Sequence, residues 1–208
     1  MTDPKTLVRE GYDRASHAYR GDEFEFPRSG YAYWIGQLGP HLIPGARVLD
    51  LGCGNGVPVS RELSRLYRVT GVDLSPVQVE RARALVPAAS FMCADMSTVE
   101  FDHGSYDAIT AFFSIINLPL DEQPGLIERM ASWLAPGGRL LATVGRYAWT
   151  RIEPDFRGVR GVSMYWSHAD VATYRAWFEN AGLVIEREGV EPRQGNPGYA
   201  MLIARKAG

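Results

Sequence analysis

Residues 48–63 read VLDLGCGNGVPVSREL, with Gly52, Gly54 and Gly56 alternating directly behind a strand-like apolar run. Glycine reaches positive φ and lets another backbone or a ligand come close, at an entropic cost that ordinary loops avoid. Three glycines in five residues exceed what one tight turn requires. A strand, a glycine-rich turn and a helix form the front half of a nucleotide-binding βαβ unit, whose helix start offers free N–H groups and a positive dipole end. The second strand, RVTGVD (68–73), ends in Asp73, 21 residues beyond Gly52 (73 − 52). An acid at about that distance is where ribose hydroxyls are held. The structural alternative makes the glycines a packing device and Asp73 a helix-capping acid.

Around this unit the chain alternates. Strands are expected at 47–51, 68–73, 89–94, 106–113 and 139–145, and helices at about 56–66, 76–86 and 121–134. Ser75, Pro76 and Gln78 supply a cap, a first-turn proline and a capping-box partner. Such alternation predicts a mostly parallel sheet covered on both faces. Asp3 and Pro4 open an N-terminal helix that runs to about Tyr19, with Leu7, Gly11, Ala15 and Ala18 on one face. Residues 20–28 read as a mobile connection, and a second helix is expected from Ser29 to about His41. Residues 146–166 are aromatic and arginine-rich without period; a helix then spans about 168–180, and strands at 183–191 and 199–206 pair antiparallel through PRQGNPG. The 208 residues suffice for one well-buried domain. A net charge of −2 and no basic run argue against nucleic-acid or acidic-membrane partners. Two cysteines far apart, no signal-peptide core and no apolar run of ~20 residues fit a cytoplasmic setting.

The dinucleotide fingerprint is G-x-G-x-x-G. Here the spacing is G-x-G-x-G, Val57 takes the place of the last glycine, and Asp50 precedes the turn. A pyrophosphate has no use for that acid, whereas an amino acid attached to a nucleoside would set its carboxylate on the turn and its ammonium near Asp50. With VTGVDLS, FMCADM, YDAITAFFSIINLP and LAPGGRLLATVG following in order, the sequence resembles the class I S-adenosylmethionine (SAM)-dependent methyltransferases of small-molecule type, over roughly residues 10–205. The resemblance implies an α/β, doubly wound, mostly parallel seven-stranded sheet ending in an antiparallel hairpin, with residues 1–45 as a helical lid on a SAM-binding domain at 46–208. It implies SAM as cofactor, S-adenosylhomocysteine as product and no metal. Gly52, Gly54 and Gly56 would line the methionine part with Asp50 beneath. Asp73 would hold the ribose, Leu74 and Met96 would flank the adenine and Asp95 would accept its amino group. Phe112 would lie near the sulfonium, Tyr12 and Tyr19 would reach the carboxylate, and Gln78 belongs with the same set.

Methyl transfer from a sulfonium is an in-line displacement in which the protein mainly supplies alignment, and a base is required only when the acceptor must lose a proton. His168, expected in the first turn of a helix capped by Ser167, is one candidate, kept neutral by the dipole. Asn117, where many relatives carry histidine, orients an acceptor but does not deprotonate it. The expected substrate wall is Trp34, Phe113, Tyr147, Tyr165 and Trp166, joined by Phe24, Phe26 and Trp149, for a planar or apolar metabolite methylated on oxygen, nitrogen, sulfur or carbon. Arg146, Arg151, Arg157 and Arg160 are available to an acidic substituent. The protein is expected as a monomer or homodimer. The competing readings are a non-catalytic SAM-binding regulatory protein and an NAD-type oxidoreductase.

Overall fold

The computed structural model describes residues 3–193 and 196–208, and the side chains outside 191–198. Two helices precede the first strand: α1 (Pro4–Tyr19), capped by Asp3 accepting from Thr6 N–H, and α2 (Gly30–Gly36), capped by Ser29. Then come β1 (Arg47–Leu51), α3 (Val59–Leu63), β2 (Arg68–Asp73), α4 (Pro76–Leu85), β3 (Ser90–Cys93), β4 (Tyr106–Ala111), α5 (Gln123–Trp133) and β5 (Leu134–Val144). The chain closes with β6 (Trp149–Glu153), β7 (Met164–His168), α6 (Val171–Asn180), β8 (Leu183–Arg193) and β9 (Asn196–Lys206).

Seven strands form one sheet in the order β3-β2-β1-β4-β5-β9-β8. The first five are parallel, while β9 runs antiparallel to both β5 and β8. The last strand thus enters between β5 and β8, as the expected antiparallel ending requires. Chain order reverses beside β1, which pairs with β2 on one side and β4 on the other. That switch point leaves a crevice beyond the carboxyl ends of the strands, where open α/β sheets take ligands. Alternation along β1 sends Val48 and Leu49 to opposite faces, each 0% exposed. Leu49 joins Ile109, Met130, Trp133 and Phe178 under α5 and α6, and Val48 joins Leu141, Trp34 and Phe156 under the N-terminal helices.

Several elements depart from the sequence pattern. On α1 the buried face is Val8, Gly11 and Ala15; Ala18 is exposed. The helix expected over 29–41 stops at Gly36, and that over 56–66 begins only after Pro58. Residues 20–28 are tied down: Arg81 donates to Arg20 O and pairs with Asp22, and Asn55 Nδ2 donates to Gly21 O. The aperiodic stretch 146–166 contributes a separate antiparallel pair, β6 with β7. Asp170, not Ser167, caps α6 by accepting from Thr173 N–H, so Ser167 and His168 end a strand instead. The connection between β8 and β9 at residues 194–195 lies outside the described residues.

Candidate functional site

Over the carboxyl ends of β1, β2 and β4 lies a cleft walled on its outer side by α1. Gly52 (φ +69°) and Gly54 (φ +55°) line it. A Cβ at Gly52 would stand 2.2 Å from Ser114 Cβ, so only glycine lets β1 and β4 exits approach so closely. Gly54 faces open space, and its amide donates to Asp73 Oδ2 at 2.8 Å. Gly56 does not line the cleft: it packs against Val86, Phe91 and Ala82. Asp50 lies behind the turn, 1% exposed, accepting from Ser60 Oγ (2.6 Å) and Thr110 Oγ1 (2.8 Å). Burial raises its pKa to about 6 against the pull of those two hydroxyls. It borders a smaller recess shared with Tyr19, Arg20, Gly52, Gly54 and Phe112.

At the end of β2, Asp73 also accepts from Ser75 N–H at 2.9 Å. Burial raises its pKa to about 6, with the amides of Ser75 and Gly54 opposing. Ser75 Oγ caps α4 by accepting from Gln78 N–H and itself donates to Asp13 Oδ1. The capping box stays open because the Gln78 carboxamide turns to α1, accepting from Ser16 Oγ at 2.8 Å. Its Nε2 is buried on the cleft wall without a hydrogen-bond partner among the described residues. Leu74 and Met96 line the same end, as does Asp95. Lys5, in the first turn of α1, reaches Asp95 Oδ2 (2.8 Å), Ser97 Oγ (2.6 Å) and Glu122 Oε2 (2.5 Å). Burial works against the Asp95 carboxylate, but Lys5 and Ser97 outweigh it and hold its pKa below the ordinary value.

At the other end stand Tyr12, Tyr19, Phe112, Phe113, Ser114 and Asn117. Tyr12 donates to Asn117 Oδ1 at 3.3 Å, and Asn117 Nδ2 donates to Tyr165 O at 2.8 Å. Burial pushes the Tyr12 phenol well above its usual pKa. Phe113 holds a left-handed φ of +55°, a strained state for an aromatic residue. Beside the smaller recess, the Arg20 guanidinium packs on Phe24 and Tyr31.

Of the expected substrate wall, only Phe113 lines the cleft. Trp34 is buried against Gly189, Trp166 Nε1 donates to Glu153, Tyr147 stands exposed, and Tyr165 meets the site only through its backbone carbonyl. His168 also lies outside the cleft lining, at the end of β7 against Trp149 and Tyr199. Its pKa is lowered, as expected, but by burial and not by a helix start. Lys5, Arg9, Arg20 and Ser114 escaped the sequence reading. Ser114 directly follows Phe113, yet no spacing rule marks a serine there, and Lys5 meets its carboxylates only across 90 residues or more.

No group of three or more potential metal ligands occurs among the described residues, and no described helix is long and apolar enough to cross a membrane. The family described as "Methyltransferase domain" matches residues 48–138. The ubiquinone biosynthesis O-methyltransferase of Xanthomonas axonopodis pv. citri (strain 306) is 33% identical over 161 residues, which are 68% of this chain and 64% of that protein. The chain therefore spans a little under two thirds of that relative's length. Among solved structures, magnesium protoporphyrin IX methyltransferase (ChlM) from Synechocystis PCC 6803 with bound SAM superposes with a TM-score of 0.74 at 21% identity, covering 100% of this chain and 99% of that one. The [4+2]-cyclase SpnF superposes with a TM-score of 0.72 at 21% identity, covering 96% and 94%. These structural likenesses establish the fold, and the fold alone does not fix a reaction.

Proposed function

The chain belongs to the class I SAM-dependent methyltransferase family, and from that premise we propose that it transfers a methyl group to a small aromatic or apolar metabolite. The observation that carries the reading is one arrangement: Gly54 N–H and Ser75 N–H hold the two oxygens of Asp73 at the mouth of a glycine-lined cleft. Each carboxylate oxygen keeps a lone pair for a second donor, so Asp73 is prepared for a vicinal diol. The orphaned Nε2 of Gln78 and the open space before Gly54 fit a polar ligand on the same wall.

Bound SAM supplies a methyl group on a sulfonium, already activated for displacement. The residues then divide the work of binding and orientation. Leu74 and Met96 form an apolar slot for the adenine, with Asp95 at its rim. Arg20, in the recess beside Asp50, offers a guanidinium to the amino-acid carboxylate, a role the sequence reading gave to Tyr12 and Tyr19. Asp50 braces the glycine turn through Ser60 and Thr110 and places negative charge behind it. Gly56 serves strand–helix packing. Phe112 and Phe113 flank the acceptor, and Asn117 is a positioning group whose amide is fixed by Tyr12 and Tyr165. Residues 1–45 act as a lid on the domain at 46–208. We assign the protein to the cytoplasm as a monomer or homodimer, with no nucleic-acid partner.

Calorimetric titration with SAM, S-adenosylhomocysteine and NAD tests this reading. Micromolar binding of the two sulfur compounds and none of NAD is expected; NAD binding alone would end it. Turnover of labelled SAM with a metabolite panel separates an enzyme from a binding protein.

A further inference from the structure

We infer that β6 is a self-association edge: two copies of this chain pair their β6 strands antiparallel about a twofold axis at Ile152, which sets each Arg151 opposite Glu153 of the partner subunit. The β6–β7 pair stands apart from the main sheet, and its two strands are unlike in burial. β7 is buried at every position except Tyr165. β6 is exposed at every position except Glu153, on both of its faces, with Trp149 39% and Ile152 53% exposed. The hydrogen bonds around β7 fix which groups of β6 point away from it. Asn117 Nδ2 and Gln123 Nε2 donate to Tyr165 O and Ser167 O, each at 2.8 Å, along the far edge of β7. The N–H and C=O of one residue point to the same side of a strand, and the side alternates along the chain. Met164, Trp166 and His168 therefore bond to β6, opposite Glu153, Arg151 and Trp149. The 2.8 Å contact between the Thr150 and Ser167 hydroxyls agrees, because pairs without ladder bonds bring their side chains closest. Thr150 and Ile152 are left directing N–H and C=O outward, and neither backbone has a hydrogen-bond partner among the described residues.

Such an edge accepts another strand unless something blocks it. No proline, lysine or bulge interrupts β6 between Trp149 and Glu153. Its own sequence suits a second copy. An axis at Ile152 lets the two Ile152 residues exchange N–H to C=O bonds, and lets Thr150 N–H donate to Pro154 O of the partner subunit. A proline there is asked only for its carbonyl, which it keeps. The intervening pairs have no ladder bonds and the shortest side-chain separation, and in them Arg151 meets Glu153, opposite charges on one face. On the other face Ile152 meets its own copy and loses water from both side chains. An axis at Arg151 would set two guanidiniums against each other. An axis at Thr150 would put Glu153 opposite Tyr147, which lies outside the strand. Pairing about Ile152 makes a continuous ribbon of two β6 and two β7 strands. It braces β7, and with it the Tyr165 carbonyl that holds Asn117 in the cleft. A contact of one short strand per copy is small, so the association is reversible.

Sedimentation velocity of the full chain tests the inference. The wild type should run as a monomer at about 1 µM and shift toward a dimer at about 100 µM. Arg151→Glu and Glu153→Arg should each stay monomeric at the higher concentration. An equimolar mixture of the two should recover the dimer, because each reversed charge then faces its opposite. In amide hydrogen exchange of the wild type, Thr150 and Ile152 should slow severalfold at the higher concentration, while Arg151, already bonded to β7, should not change. A wild type that stays monomeric at the higher concentration overturns the inference, and so does a dimer that survives both reversals. A mixture of two folded variants that stays monomeric also overturns it. Glu153 accepts from Trp166 Nε1 as well. If Glu153→Arg therefore fails to fold, the wild-type amides decide: no slowing at Ile152, or equal slowing at Ile152 and Arg151, overturns the pairing.

Discussion

Asp50, buried, and Asp73, half-buried at the cleft, have pKa values raised to about 6, and loss of solvation leads the causes for both. In the unfolded chain such groups titrate near ~3.9. Between about pH 4 and 6 the native state therefore holds protons that the unfolded state has released, so these groups lower stability as pH rises through that window. Asp50→Asn removes the effect for one of them. Relative to wild type it should gain stability between pH 4.5 and 7.5, by about 2 kcal/mol, read from urea midpoints at the two values. For Asp73 the same titration bears on binding, because only the carboxylate accepts from two ribose hydroxyls. S-adenosylhomocysteine affinity should fall as pH drops below 6, and Asp73→Asn should weaken it about tenfold or more and flatten that dependence in calorimetry. At Gly52 the constraint is steric. Gly52→Ala places a Cβ against Ser114 at positive φ, and a loss of about 2–4 kcal/mol is expected in urea denaturation.

Among the elements, α1 is unevenly fastened. Its C-terminal half is held by Ser16, which bonds Gln78 and Arg81, and by Arg81 donating to Arg20 O. Its first turn is tied by Lys5, bridging Asp95, Ser97 and Glu122. These groups are partly exposed, and such pairs contribute little to global stability. Lys5→Met should therefore leave the unfolding midpoint nearly unchanged while hydrogen exchange over residues 7–12 accelerates. The β6–β7 pair teaches a different lesson. An aperiodic, aromatic stretch gave no strand signal because β6 is exposed along most of its length and so shows no alternation. Without that pair, the sequence pattern starts the last helix three residues too early and sets His168 at a helix start it does not occupy. His168→Ala should leave the pH profile of turnover unchanged.

For the molecule as a whole, the N-terminal helices share a core with the sheet. Val8 and Ala15 of α1 and Trp34 of α2 cluster with Val48, Leu141 and Ile203. Trp34, read from sequence as pocket lining, instead fills the space before Gly189 of β8. Trp34→Ala should cost about 3–5 kcal/mol, and removal of residues 1–45 should leave a domain that loses its cooperative thermal transition. The lid proposed for the cleft is in this sense part of the fold.

The sequence alone determined what is local. The limits of β1 and β2, the glycine turn between β1 and α3, the capping serine and proline of α4, and Asp73 at a strand end follow from alternation, φ preference and spacing within about 25 residues. It also determined the sheet, because strands that alternate with helices have few ways to be wound. The tertiary structure decided which side chains face the cleft. Strand order brings Ser114 against Gly52, α1 carries Lys5 to Asp95, and Trp34 is drawn into the core. Such contacts join residues tens of positions apart, and no periodic pattern encodes them, since burial and hydrogen bonding act through space and not along the chain.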